Sequence, residues 1–261
     1  MKLASRGTLA AVAVGGLLVI GTVGSASAAQ SASPLPPEGN QAPGARQCAA
    51  ELAAAKDNGV GNLRKLGDCE IDRRLVTITE LQGRVAAAGG LTDADRAALQ
   101  SQLAADTSGL TTLRAQVDGE TDVTTLRADL KTIVTDFRVY VLMVPKTAEV
   151  ITADTELAAV TRLGTVESRL QARIAADSAA GKDIAQAQSD LDELQAKVLG
   201  VSPLVQGIPA SVLPLTPAQY NAGTARPILA SSRTSLRTGR GLLAGARADA
   251  VACHAALVAL G

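Results

Sequence analysis

Aromatic side chains are almost missing from this chain: one Phe, two Tyr and no Trp in 261 residues. A β-sandwich core draws on such bulk, so a sheet-on-sheet fold is excluded. Sugar-cleaving clefts also stack their substrates on aromatic rings. The acids Asp183, Asp190, Asp192 and Glu193 therefore read as a solvated helix face, not as paired catalytic carboxylates. Histidine occurs once, as His254, where it replaces an arginine of the C-terminal heptad stripe, and it reads as a surface or seam position on a helix, not as the base of a nucleophilic triad. No CxxC or HxxxH pair exists, and the adjacent Cys253 and His254 diverge by about 100° on a helix, which excludes a zinc site. An excess of charge of one sign is also missing, with 25 Lys and Arg against 25 Asp and Glu. Nucleic-acid binding needs a strong basic field and is not expected.

Export signals are present. Lys2 and Arg6 precede an apolar and small-residue run from Thr8 to Val23, and Ala26-Ser27-Ala28 is a small-x-small cleavage site. Residues 1–28 read as a cleaved signal peptide, and no transmembrane span is expected after its removal. Without Lys2 and Arg6 the chain carries 23 basic and 25 acidic side chains, a formal charge of −2. Residues 29–46, rich in Pro, Gly, Ser and Ala, read as a flexible linker. The expected localisation is secreted, extracellular or associated with the cell envelope.

Between the turns Ala, Leu, Arg and Gln dominate, residues that lose little entropy in a helix. The last segment shows the clearest period. Leu229, Leu236, Leu243, Ala250 and Leu257 recur every seven residues, and Arg233, Arg240, Arg247 and His254 follow at a constant offset of four. Such a period lays an apolar seam and a basic stripe along one helix. Residues 226–261 form this C-terminal heptad helix, with five arginines (Arg226, Arg233, Arg237, Arg240 and Arg247) against one acid, Asp249. The stripe is the candidate surface for an anionic partner. Its plainer explanation is pairing with acidic faces of neighbouring helices. Ser232, Gly239, Ala246 and Cys253 form a small-residue column beside the leucines, suited to tight helix contact.

Residues 47–202 read as a helical-hairpin region. A short helix over Gln47–Lys56 ends at Asn58-Gly59-Val60-Gly61, and a second runs from about Asn62 to Ala88. Thr92-Asp-Ala-Asp95 opens a third helix carrying Leu99, Leu103, Asp106, Leu110, Leu113 and Val117, with Asp106 on its seam. Thr121 or Asp122 caps a fourth, whose stripe runs through Phe137 and Tyr140 to Val144, where Pro145 bends or restarts the helix. Residues 203–225, holding Pro203, Pro209, Pro214 and Pro217, read as a Pro-rich connecting loop. The expected fold is all-α: antiparallel helical hairpins forming an elongated bundle or a coiled-coil-like rod.

Three cysteines cannot all pair within one chain. The turn at Asn58–Gly61 folds the helix carrying Cys48 against the one carrying Cys69, which makes Cys48–Cys69 the expected bridge, with Cys253 free or linking two chains. The rival arrangement ties Cys253 to either of the other two.

The run Leu91-Thr-Asp-Ala-Asp95, the Thr125-Leu-Arg-Ala-Asp129 helix, and Arg138-Val-Tyr140 leading to Pro145 resemble a group of uncharacterised exported helical proteins of Gram-positive and related bacteria. The resemblance covers roughly residues 62–180 and implies helices and export, with no activity attached. Two nearer matches by letters fail on context. Gly239-Arg-Gly241-Leu-Leu-Ala244 lacks the strand that a dinucleotide loop needs, so no cofactor is expected. Leu213-Pro-Leu-Thr-Pro217 lacks the glycine and hydrophobic tail of a wall-sorting signal. The sequence thus points away from an enzyme. It points to a secreted structural or interaction scaffold whose partner is a protein or an envelope polymer, and whose faces admit self-association. The alternative is a helical-bundle module binding an apolar or anionic small ligand.

Overall fold

The computed structural model describes residues 48–261, all helices and turns with no strand among them. The expected signal peptide (1–28) and linker (29–46) lie outside the described residues. Helix α1 (Ala49–Ala54) runs into a single 3-10 turn, and Asn58, with a left-handed φ of 55°, reverses the chain into α2 (Val60–Ala87). A disulfide joins Cys48 at the head of α1 to Cys69 on α2, with the Cα atoms 5.8 Å apart.

At the far end of α2, Arg96 reaches back from α3 (Asp93–Gly119) and donates to the Ala86, Ala88 and Leu91 carbonyls. The guanidinium thereby satisfies carbonyls that a helix end leaves without partners. Thr92 caps α3 by accepting from the Asp95 amide. Asp122 caps α4 (Val123–Thr135) in the same way, accepting from Thr125. Helices α2 and α3 form an antiparallel hairpin, and α4 returns along α2. Leu99, Leu103, Leu110, Leu113 and Val117 bury the α3 seam, with Asp106 half-buried among them.

The break after α4 is not at Pro145. It falls at Asp136–Arg138, where Arg138 takes a φ of 27°. Asn221 holds the break by donating to the Thr135 carbonyl and accepting from Arg138 Nε at 2.6 Å. One π turn, Val139–Met143, then leads into α5 (Val144–Ala179). Pro145 is the second residue of α5, directly after the π turn, at the point where the helix passes from π to α pitch. An α-helix does restart at Pro145, as the sequence allowed, while the sharper break at Asp136–Arg138 lies seven residues earlier.

Helices α5, α6 (Ala185–Val205) and α9 (Ala225–Ala259) pack on one another. The short turn between Ala179 and Ala185 makes α5 and α6 antiparallel, and the pairs Ala187–Cys253 and Lys197–Asp249 do the same for α6 and α9. The expected Pro-rich loop at 203–225 is instead mostly helical. Pro203 lies inside α6, Pro209 in the first turn of α7 (Ile208–Val212), and Pro217 opens α8 (Pro217–Asn221) behind a Thr216–Gln219 capping box. Prolines at first-turn positions seed helices, so a cluster of them among apolar residues spelled short helices. Ile208, Val212 and Leu215 are buried in the core.

The first turns of α5 join the two groups of helices. Lys146 Nζ donates to Gln102 Oε1 on α3 and to the Leu213 and Leu215 carbonyls, and Asp154 accepts from the Thr92 amide at 2.8 Å. Gly90 allows this approach, since a Cβ there would stand 2.9 Å from Thr155 Cα. One apolar core runs through both groups, and a smaller cluster of Ala55, Leu63, Val117 and Leu126 fills the space beside the α1–α2 turn.

Candidate functional site: the arginine row of α9 and the buried glutamates of α5

The heptad period of α9 sorts its side chains by depth. Leu229, Leu236, Leu243 and Leu257 are buried, and so is the small column Ser232, Gly239, Ala246 and Cys253. The Cys253 thiol is free, donates to the Ala187 carbonyl of α6 at 3.3 Å, and is pushed above its ordinary pKa by burial and by Asp190. Opposite this seam, Gly241, Ala244, Ala248, Val251, Ala252, Ala255, Val258 and Ala259 are exposed. By length and composition α9 could cross a membrane, a test that core helices of soluble proteins also pass.

The arginines take different places along this helix. Arg226 lies exposed over the Tyr220 ring at 4.9 Å, with Arg138 over the same ring at 5.7 Å. Arg233 Nε donates to Glu149 Oε1 on α5 at 3.0 Å. Arg240 Nε stands 3.9 Å from Glu156 Oε1, too far for a hydrogen bond. Arg237 and Arg247 are exposed and make no ion pair among the described residues. Asp249, the lone acid of the segment, is held by Lys197 of α6 at 2.6 Å. The row is therefore partly matched by acids from a neighbouring helix and partly open to solvent.

The matching acids were not singled out from the sequence. Glu149 is fully buried and the Glu156 side chain is 6% exposed, while Arg233 and Arg240 are 25% and 53% exposed. Each pair thus has its carboxylate inside and its guanidinium reaching water. Burial pushes both carboxyls up to about 7, against the pull of the facing arginine in each case. Glu149 Oε2 and both oxygens of Glu156 have no hydrogen-bond partner. Gly239 makes the approach possible, because a Cβ there would meet Glu156 Oε2 at 2.5 Å and Val205 Cγ1 at 3.1 Å.

A signal for these glutamates existed. Glu149, Glu156, Leu163, Leu170 and Asp177 recur every seven residues on α5, and all five are buried. Arg233 and Arg240 share that spacing, so one constant offset pairs both rungs and sets α5 parallel to α9. At the same offset Arg247 falls opposite Leu163, and the acidic rungs stop there.

A second buried ionic group sits nearby. Burial raises Asp106 to about 6 and lowers Lys146 to about 8, each opposed by the other's charge. Among the described residues no group of three His, Cys, Asp or Glu converges as a metal site would require. An open groove of about 350 Å³ lies between α7 and α9, lined by Ser211, Pro227, Ile228, Ser231 and Ser232. His254 is exposed on α9, with no acid or nucleophile bonded to it. No protein-family model, curated protein or solved structure matches this chain.

Proposed function

We propose that this chain is an exported helical scaffold that docks along the outer face of α9 to an anionic polymer of the cell envelope. The observation that carries the reading is the row of exposed guanidiniums: Arg226, Arg237 and Arg247 stand on one side of a helix whose only acid is already held by Lys197. Guanidinium forks bind phosphate in a bidentate manner, and these three arginines, eleven and ten residues apart, recur at roughly 15–16 Å along one side of the helix, open to a repeating polyanion. A phospholipid surface fits less well. The exposed face of α9 offers alanines and two exposed valines, Val251 and Val258, where interfacial helices insert Leu, Phe or Trp.

The small-ligand alternative would use the groove between α7 and α9, and that groove is open to solvent and lined by serines, proline and isoleucine, without a charged group. The scaffold reading needs no catalytic step. Its test is co-sedimentation of the protein with isolated cell walls before and after chemical removal of their phosphate-bearing polymer. Binding that disappears with the polymer, and weakens in Arg237→Ala/Arg247→Ala, supports the reading. Equal binding to stripped walls overturns it.

A further inference from the structure

We propose that docking of a phosphate-bearing polymer on the α9 arginines is linked to proton uptake by Glu149 and Glu156, so that mild acid strengthens it. The proposal rests on the docking reading above and adds its regulation.

The geometry of the two rungs carries it. Each carboxylate is inside the α5–α9 seam and each guanidinium reaches solvent, so an anion arriving from outside competes with the glutamate for the same arginine. A buried carboxylate whose arginine turns outward loses its compensating charge and takes a proton from solvent, becoming a neutral acid. Little else holds that charge in place. Glu156 accepts no hydrogen bond on either oxygen, and Glu149 Oε2 accepts none. The reverse linkage follows by thermodynamic necessity: protonating the glutamates removes a negative charge beside Arg233 and one beside Arg240, and raises their attraction for an outside anion.

The last two turns of α6, Val198–Val205, carry no titratable side chain, and α7 carries none. On α5, Lys146 is directed to Gln102 and to two carbonyls, with Asp106 as its nearest acid, and Asp154 accepts from Thr92 beside Asp95. On α9 itself, Arg237 is exposed and His254 continues the arginine row. His254 is replaced in the test, so that the two glutamates alone are read.

The experiment uses the full chain carrying His254→Gln, with long-chain inorganic polyphosphate as the probe, titrated by calorimetry at about pH 6 and about pH 8 in two buffers of different ionisation enthalpy. The expected result is binding about tenfold tighter at the lower pH, with net proton uptake near neutrality. Adding Glu149→Gln and Glu156→Gln should abolish the uptake and give the tighter affinity at both pH values. Binding with no proton uptake and no pH dependence overturns the linkage while leaving the docking reading in place. Absence of binding at both pH values, or binding to phosphatidylglycerol vesicles but not to polyphosphate, overturns the docking reading and this inference with it. Should the glutamine variant fail to fold, the buffer comparison on the His254→Gln chain still decides the linkage.

Discussion

The α2–α3 hairpin and the α5–α9 pair are both long helix contacts with ionic links, but they keep their charges at different depths. In the hairpin, Arg114 bridges to Asp72 on the outside, with side-chain exposures of 32% and 65%, while the α3 seam is apolar apart from the half-buried Asp106. In the α5–α9 pair the glutamates occupy the seam itself. Exposed pairs of the first kind contribute roughly 0–1 kcal/mol each. Buried rungs of the second kind add little net stability, yet they penalise a shifted register heavily because a slip leaves a charge inside without its partner. The first region is held by burial and a disulfide, and the second by burial with two ionic rungs set into its seam.

The largest expected effects probe the burial that both regions share. Leu103→Ala on α3 and Leu236→Ala on α9 each remove a side chain at or below 1% exposure, and each should cost about 2–5 kcal/mol in chemical denaturation. A cost below 1 kcal/mol at either site would show that its seam is not packed as described.

Replacing Cys48 and Cys69 together by serine opens a loop spanning 21 positions, and should cost around 3 kcal/mol in the loop-entropy model. Hydrogen exchange should then quicken first in α1 and the start of α2, with the amides of α9 unchanged. Early loosening of α9 would erase the distinction between the two regions.

Gly239→Ala acts on the second region alone. The new methyl group collides with Glu156 and Val205, and about 1–3 kcal/mol of destabilisation should follow, with faster exchange in α5 and α9. Smallest of all, Asp72→Asn on the hairpin surface should change stability by less than about 1 kcal/mol.

The two regions also differed in how much of them the sequence disclosed. The hairpin was readable because its signals are local: a hydroxyl followed by an acid at Thr92 and Asp95, a Gly-rich turn, and apolar residues at helical spacing. Cys48 and Cys69 flank one turn, so their proximity could be argued from a single reversal. The all-α class and the heptad seam of α9 were equally plain. The rungs were not, because a glutamate at a heptad position looks the same whether the seam covers it or water does. Only the partner helix, 84 positions away, decides that. The same limit hid the break at Asp136–Arg138, which Asn221 holds from a distant helix, and let the prolines of 203–225 pass for a loop.

The central claim is that buried glutamates make the α5–α9 joint sensitive to protonation, and thermal melts across pH test it most directly. Each carboxyl moves from an ordinary 4.5 to about 7 in the fold, so the unfolded chain releases its proton first as pH rises. The stability these groups contribute is complete below 4.5 and is lost as pH climbs through 7, by on the order of 3 kcal/mol per glutamate. Asp106, raised to about 6, adds to the same trend, and Lys146, lowered to about 8, opposes it only at higher pH. Between about pH 5 and about pH 8 the Tm of the wild-type chain should therefore fall, and Glu149→Gln/Glu156→Gln should remove most of that slope. A wild-type Tm that rises over this range, or a slope identical in the two proteins, would contradict the account.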